Sequence, residues 1–181
     1  MIMLTRSVRM PDLEDKAVAV NAAPIHAAAI CRLISHWAER GLTIQRGLRQ
    51  IVTSIDQFVV AIHRGRVVGC GALELVSDQI GEIRSIAVCE QASRIGAGRA
   101  VMDALIAKAH ARGLSELVLL TKTPDFFARF GFETVAPVEL PFEYVAMIAQ
   151  QPGRTLEGKI AMRRVLACTE AGCVTSAAHA S

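Results

Sequence analysis

In the stretch GEIRSIAV an acid and a base, Glu82 and Arg84, stand two positions apart. The stretch reads as a strand, so both side chains project from one face, because facing alternates with period two. A planar guanidinium grips a carboxylate through two parallel hydrogen bonds, which makes Arg84 a candidate for holding a carboxylated substrate. Left to each other, the two residues would form an ordinary ion pair. Shortly after, in SRIGAGRAVMDALIAKAHARG, the chain turns glycine-rich and opens a helix. A strand, glycine turn and helix in succession aim several backbone N–H groups at one point, where the helix dipole also favours negative charge. Such a point suits phosphate. The Rossmann pattern GxGxxG fails, because Val101 stands where the third glycine belongs, and the Walker pattern fails because Arg99 and Ala100 follow Gly98 where Lys and Ser or Thr are needed. A plain helix start, with glycines that only relieve crowding, is the competing reading.

Several elements must position these residues. AVAVNAAP reads as a first strand ending at Pro24. IHAAAICRLISHWAERG then carries Ile30, Leu33, Ile34 and Trp37 at helical spacing up to Gly41. GLRQIVTSID reads as a short second helix, and QFVVAIHRGRVVGCGALELV as two strands turning at His63–Gly65. After EIRSIAV, the positions Val101, Met102, Leu105, Ile106 and Ala109 share one helix face, with Gly113 as the stop. SELVLLT is a short buried strand, PDFFARF a helix opened by Pro124, GFETV a strand start and GKIAMRRVL a final strand. This order predicts a mixed α/β sheet, antiparallel early, with a right-handed crossover later. The expected domain covers residues 17–166, between a mobile N-terminus (1–16) and a disordered tail (167–181).

Composition narrows the function. At 181 residues the chain is long enough for one domain with a sizeable core. Its hydrophobic content is 52% but only 4% is aromatic, and no apolar run approaches the ~20 residues of a spanning helix, so no membrane span is expected. A net charge of +3 without a dense Lys/Arg block argues against nucleic acid and suits a small anionic ligand. Five cysteines without CxxC spacing point to reduced thiols in the cytoplasm, and the scattered histidines suggest no metal site. Cys70 and Cys89 are expected to be small buried hydrophobes in place of acyl-carrying nucleophiles.

EIRSIAV, SRIGAGRAVMDALIAKAHARG, ELVLLT and FFARFGF, in that order and at those spacings, resemble the GNAT superfamily of acetyl-CoA-dependent N-acetyltransferases. The likeness covers residues 17–135. It implies a mostly antiparallel twisted sheet flanked by helices on both faces, with acetyl-CoA as co-substrate and no metal. The family's pyrophosphate loop, Gln/Arg-x-x-Gly-x-Gly/Ala, falls on Ser93 to Gly98, with Ser93 replacing the usual Gln or Arg. The backbone of Ile95, Gly96, Ala97, Gly98, Arg99 and Ala100 would cradle the pyrophosphate, and that of Ile86, Ala87 and Val88 would hold the pantetheine arm and thioester carbonyl. Glu82 occupies the general-base position of the family's histone acetyltransferases, and Phe127 the place of its usual tyrosine acid, as a core or cofactor-wall ring. Tyr144, the only tyrosine, lies in a segment that matches poorly.

VVGCGALELVSDQIGEIRSIAV, LTKTPDFFARFGF and GLTIQRGLRQI further resemble the short, stand-alone N-acetylglutamate synthase branch. That likeness implies L-glutamate as a small-molecule acceptor and, as a family expectation, a homodimer. Two carboxylates call for more than one cation, and Lys122, Arg46 and one of Arg163 and Arg164 join Arg84 as candidates. Acetylation of another small amine, or a non-catalytic acetyl-CoA sensor, are the alternatives.

Overall fold

The computed structural model describes residues 16–151 and 153–167, except for the side chain of Ser93. The expected mobile N-terminus, apart from Lys16, and the expected tail from Cys168 lie outside the described residues.

Seven strands form one sheet in the order β1-β2-β3-β4-β5-β7-β6. They are β1 (Val18–Asn21), β2 (Phe58–His63), β3 (Arg66–Leu75), β4 (Ile80–Val88), β5 (Glu116–Thr121), β6 (Glu133–Thr134) and β7 (Ile160–Val165). The helices are α1 (Ala27–Ala38), α2 (Leu48–Thr53), α3 (Ala97–Ala111), α4 (Pro124–Ala128) and α5 (Phe142–Ala149). β1 and β2, β2 and β3, β5 and β7, and β6 and β7 pair antiparallel, whereas β4 and β5 pair parallel across the crossover that contains α3. The mixed, mostly antiparallel sheet matches the expectation. The helix α5 had no counterpart in the sequence reading. It opens after Pro141, whose φ of −54° suits a helix entry, and buries Tyr144 and Ile148.

The described residues pack as two compact units, one of those up to 72 together with 85–104, the other of 73–84 together with those from 105 on. In the first, α1 and α2 lay Ile30, Ile34 and Ile51 against Phe58, Val60, Cys70 and Ala87. The β2–β3 hairpin turns through Arg64 and Gly65, both at positive φ (48° and 73°), a two-residue geometry that follows the twist of paired strands. In the second unit, Ile80 and Val118 pack with Tyr144, Ile148 and Ala161. The α3 residues Val101, Met102, Leu105, Ile106 and Ala109 are all buried, as their spacing predicts. Gly81 lies where a Cβ would sit 2.7 Å from Leu114 Cδ1 and 2.8 Å from Leu73 Cδ1, so the strand passes here with no space for a side chain.

Candidate active site

β4 carries both halves of the candidate chemistry on one run of backbone. Its register with β5 runs from Ile80 to Glu82 against Glu116 to Val118. Three residues further on, Ser85 takes φ = 55°, a left-handed conformation uncommon for a residue with a side chain and the mark of a local kink.

Glu82 is buried, with a side chain 2% exposed. Tyr144 Oη donates to its Oε1 at 2.9 Å. Arg154 spans both oxygens, Nη1 to Oε2 at 3.1 Å and Nη2 to Oε1. A charge so deeply buried needs a partner of this kind, since removing either member leaves the other uncompensated. Burial first, and then the facing Glu82 carboxylate, hold the Tyr144 phenol protonated far above its ordinary range. Burial works against the charge of Arg154, but Glu82 outweighs it and leaves the guanidinium more firmly protonated than usual.

Arg84 shares the Glu82 face and forms an ion pair with it at 3.7 Å, a distance longer than a hydrogen bond. Arg84 Nη1 donates to Glu74 Oε2, and lies 3.3 Å from Gln151 Oε1, which also accepts from Arg154 Nη1 at 3.0 Å. The Glu82–Arg84 ion pair is therefore present without a hydrogen bond, and each charge also has a closer partner of its own. Glu74, Gln151 and Arg154 were not anticipated from sequence. Arg154 sits 72 positions from Glu82 in a segment without periodicity, and the lone tyrosine in a poorly matching stretch was the one available signal.

Beyond the last β5–β7 pair, Thr121 with Ile160, the next positions are Lys122 and Lys159. Burial and the neighbouring charges of Arg154 and Lys122 lower the Lys159 pKa from its usual 10.5. Lys122 thus joins a cationic group of Lys159, Arg154 and Arg84, and Lys159 is a member the sequence reading missed. Arg46 belongs to the first unit, its guanidinium 5.7 Å from the Phe58 ring centroid. Arg164 donates to the carbonyl of Phe130, and Arg163 Nε lies 3.9 Å from Glu116 Oε1, so both arginines have structural partners.

The glycine turn folds as the sequence suggests, one residue earlier. A 3-10 turn over Glu90–Ile95 leads to Gly96 at φ = 75°, and α3 begins at Ala97. Nothing lies within 4 Å of a Cβ placed on Gly96, so the glycine serves conformation and not space. Ala100 N–H bonds to Gly96 carbonyl at 2.9 Å, the first helical bond. Ala97, Gly98 and Arg99 head the helix, where backbone N–H groups lack intrahelical acceptors, and Ala17 N–H holds the Ile95 carbonyl at 3.1 Å. On β4, Cys89 N–H bonds the Val68 carbonyl at 2.8 Å, so residue 89, and by strand alternation residue 87, faces β3, while the Cys70 thiol contacts the Ser85 carbonyl at 3.8 Å. Ile86 and Val88 therefore direct their backbone groups to the opposite side. Ala87 is turned away from any ligand lying along that side.

Phe127 is 7% exposed and packs edge-on to Phe126 and Phe132, as a core ring. Burial pushes the Cys70 thiol up to about 12, which leaves it unreactive at neutral pH. Among the described residues no group of three or more His, Cys, Asp or Glu could hold a metal, and no helix is long and apolar enough to cross a membrane.

The acetyltransferase (GNAT) domain family matches residues 54–134. An uncharacterized N-acetyltransferase of Chlorobaculum tepidum is 31% identical over 146 residues, 81% of this chain and 94% of that one. An amino-acid acetyltransferase of Mycobacterium tuberculosis is 34% identical over 123 residues, 66% of this chain and 70% of that one. Among solved structures, N-acetylglutamate synthase from Neisseria gonorrhoeae, complexed with coenzyme A and N-acetyl-glutamate, aligns with a TM-score of 0.74 at 29% identity, over 83% of this chain but 35% of that one. With its seven-stranded sheet, kinked central strand and glycine turn, the chain belongs to the GNAT family of acetyl-CoA-dependent N-acetyltransferases.

Proposed function

We propose that this chain transfers the acetyl group of acetyl-CoA directly to the α-amine of an acidic amino acid, L-glutamate foremost. The observation that carries this reading is the charge around Arg84. Arg84, Arg154, Lys122 and Lys159 lie within electrostatic reach of one another and are met there by Glu74 and Glu82. Among these described residues the positive charges outnumber the carboxylates by two, the number a dicarboxylate brings. The relatives named amino-acid acetyltransferases, and the synthase solved with N-acetyl-glutamate, support the same acceptor class.

In this reading Lys122, Lys159 and Arg84 hold carboxylates and fix the amine for attack, an orientation worth several orders of magnitude in rate. On the family likeness, the pantetheine arm would run along the strand segment Ile86 to Val88, and the pyrophosphate would sit at the N–H groups from Ile95 to Ala100. Glu82 takes the amine proton through a water. Its oxygens are already held by Tyr144 and Arg154, so this transfer needs one of those hydrogen bonds to give way to water. The same observation favours a second reading, in which Glu82 anchors Arg154 and the proton leaves to solvent.

Thiol release from acetyl-CoA over a panel of amino acids, for wild type and Glu82→Gln, tests the proposal. L-glutamate should be preferred over L-glutamine and L-leucine. A proton acceptor at Glu82 predicts a fall in kcat of about a hundredfold or more in the variant. An anchor predicts instead a raised KM for the amino acid. No release with any acceptor, although CoA binds, would reduce the chain to a sensor, and preference for an uncharged amine would remove glutamate.

A further inference from the structure

The end of β4 is gripped by α1. Trp37 Nε1 donates to the Val88 carbonyl at 2.8 Å. One residue before, His36 Nε2 meets Glu90 Oε1 at 3.2 Å, and Arg40 reaches the same carboxylate oxygen at 3.6 Å. Arg40 also donates to His36 Nδ1 at 3.0 Å, which leaves Nε2 to carry the proton toward Glu90. The Arg40 guanidinium stands 5.7 Å from the Trp37 ring centroid, and the His36 ring meets the indole edge-on, so the indole is fixed on two sides.

The direction of Val88 gives the grip its meaning. Cys89 N–H bonds to β3, so the Val88 carbonyl of the same trans peptide points to the other side, the side on which Ile86, two residues back, presents its own N–H and C=O. An extended amide ligand adding along that side pairs with alternate residues. Trp37 already occupies the last acceptor of that row.

We infer that Trp37 is a positioning residue for the pantetheine arm of acetyl-CoA. By engaging the Val88 carbonyl it fixes the plane of the Val88–Cys89 peptide and ends the ladder there, which leaves the Ile86 N–H and C=O and the Val88 N–H as the groups the arm can address. The clasp of His36 and Arg40 on Glu90 holds the start of the 3-10 turn that leads to Gly96. The inference rests on the acetyl-CoA part of the proposed function and is independent of the acceptor.

Calorimetric titration of CoA, and of adenosine 3′,5′-bisphosphate, which lacks the arm, onto the full chain tests this. Trp37→Phe keeps an aromatic ring and removes the donor. It should weaken CoA about five- to tenfold, the effect of one hydrogen bond, and leave the bisphosphate within about twofold. The loss should appear in KM for acetyl-CoA and not in KM for the amino acid. Trp37→His, which restores a ring N–H, should recover part of it and serves as the second variant if Trp37→Phe folds poorly by thermal unfolding. Equal weakening of both ligands, or unchanged CoA affinity, overturns the role of Trp37. A wild type that binds neither ligand overturns the acetyl-CoA reading itself.

Discussion

Lys159, a carboxylate ligand in the proposed reading, would tie acceptor binding to pH. Its ammonium is disfavoured by burial and by the charges of Arg154 and Lys122, and its pKa lies below the usual 10.5. A cationic carboxylate ligand works only while protonated. As pH rises toward 10.5, Lys159 therefore loses its charge earlier than an exposed lysine would, and KM for L-glutamate should climb on that alkaline flank. The neutral fraction of the amine increases over the same range, so kcat should not fall with it. Lys159→Met should raise KM for L-glutamate about three- to tenfold at neutral pH and abolish the alkaline climb, because a charge-assisted contact is worth ~1 kcal/mol or more. A KM that is the same in both proteins across pH would remove Lys159 from the acceptor site. Neither this lysine nor Arg154 was legible in the sequence. A solvated Lys or Arg and one brought to a site differ only by long-range pairing, and the stretch from Gln150 to Lys159 has no periodicity to show that pairing.

At the level of elements, the strands and helices that repeat a pattern were readable, and those fixed by close approach were not. α3 buries all five residues its spacing assigned to one face, because a 15-residue amphipathic helix states its own inner side. α5 was missed because Phe142, at 82% exposure, faces out while Tyr144 and Ile148 face in, which blurs any single stripe. Gly81 is a case of close approach. A methyl group there would meet the side-chain ends of Leu114 and Leu73 below 3 Å and Leu117 at 3.2 Å. Those leucines belong to a packed interior, so relief requires them to leave their rotamers. Gly81→Ala should cost about 1–3 kcal/mol in chemical denaturation, an ordinary price for overpacking. A stability within about 0.5 kcal/mol of wild type would show that the interior yields more readily than this geometry implies.

For the whole molecule, the charge balance of +3 and the cation group near Arg84 both favour small anions. Exposed charges are screened beyond ~8–10 Å at moderate salt. Raising ionic strength should therefore raise KM for L-glutamate severalfold and leave KM for a monocarboxylate acceptor less affected; equal responses would argue that the second carboxylate finds no cation. The order of elements, and so the family, was written into local pattern. The grouping of Glu82 with Tyr144 and Arg154 depends on contacts 62 and 72 positions apart, which no local pattern records.

The left-handed turn at Ser85 bends β4 within its run. Burial still alternates through it, with Ile83, Ser85 and Ala87 buried and Arg84, Ile86 and Val88 half-buried, so one phase runs across the turn. In an uninterrupted strand a one-residue slip exchanges every inside for an outside. A one-residue insertion at Ser85 should therefore turn Ala87 outward and Ile86 and Val88 inward, and register as lost stability in chemical denaturation.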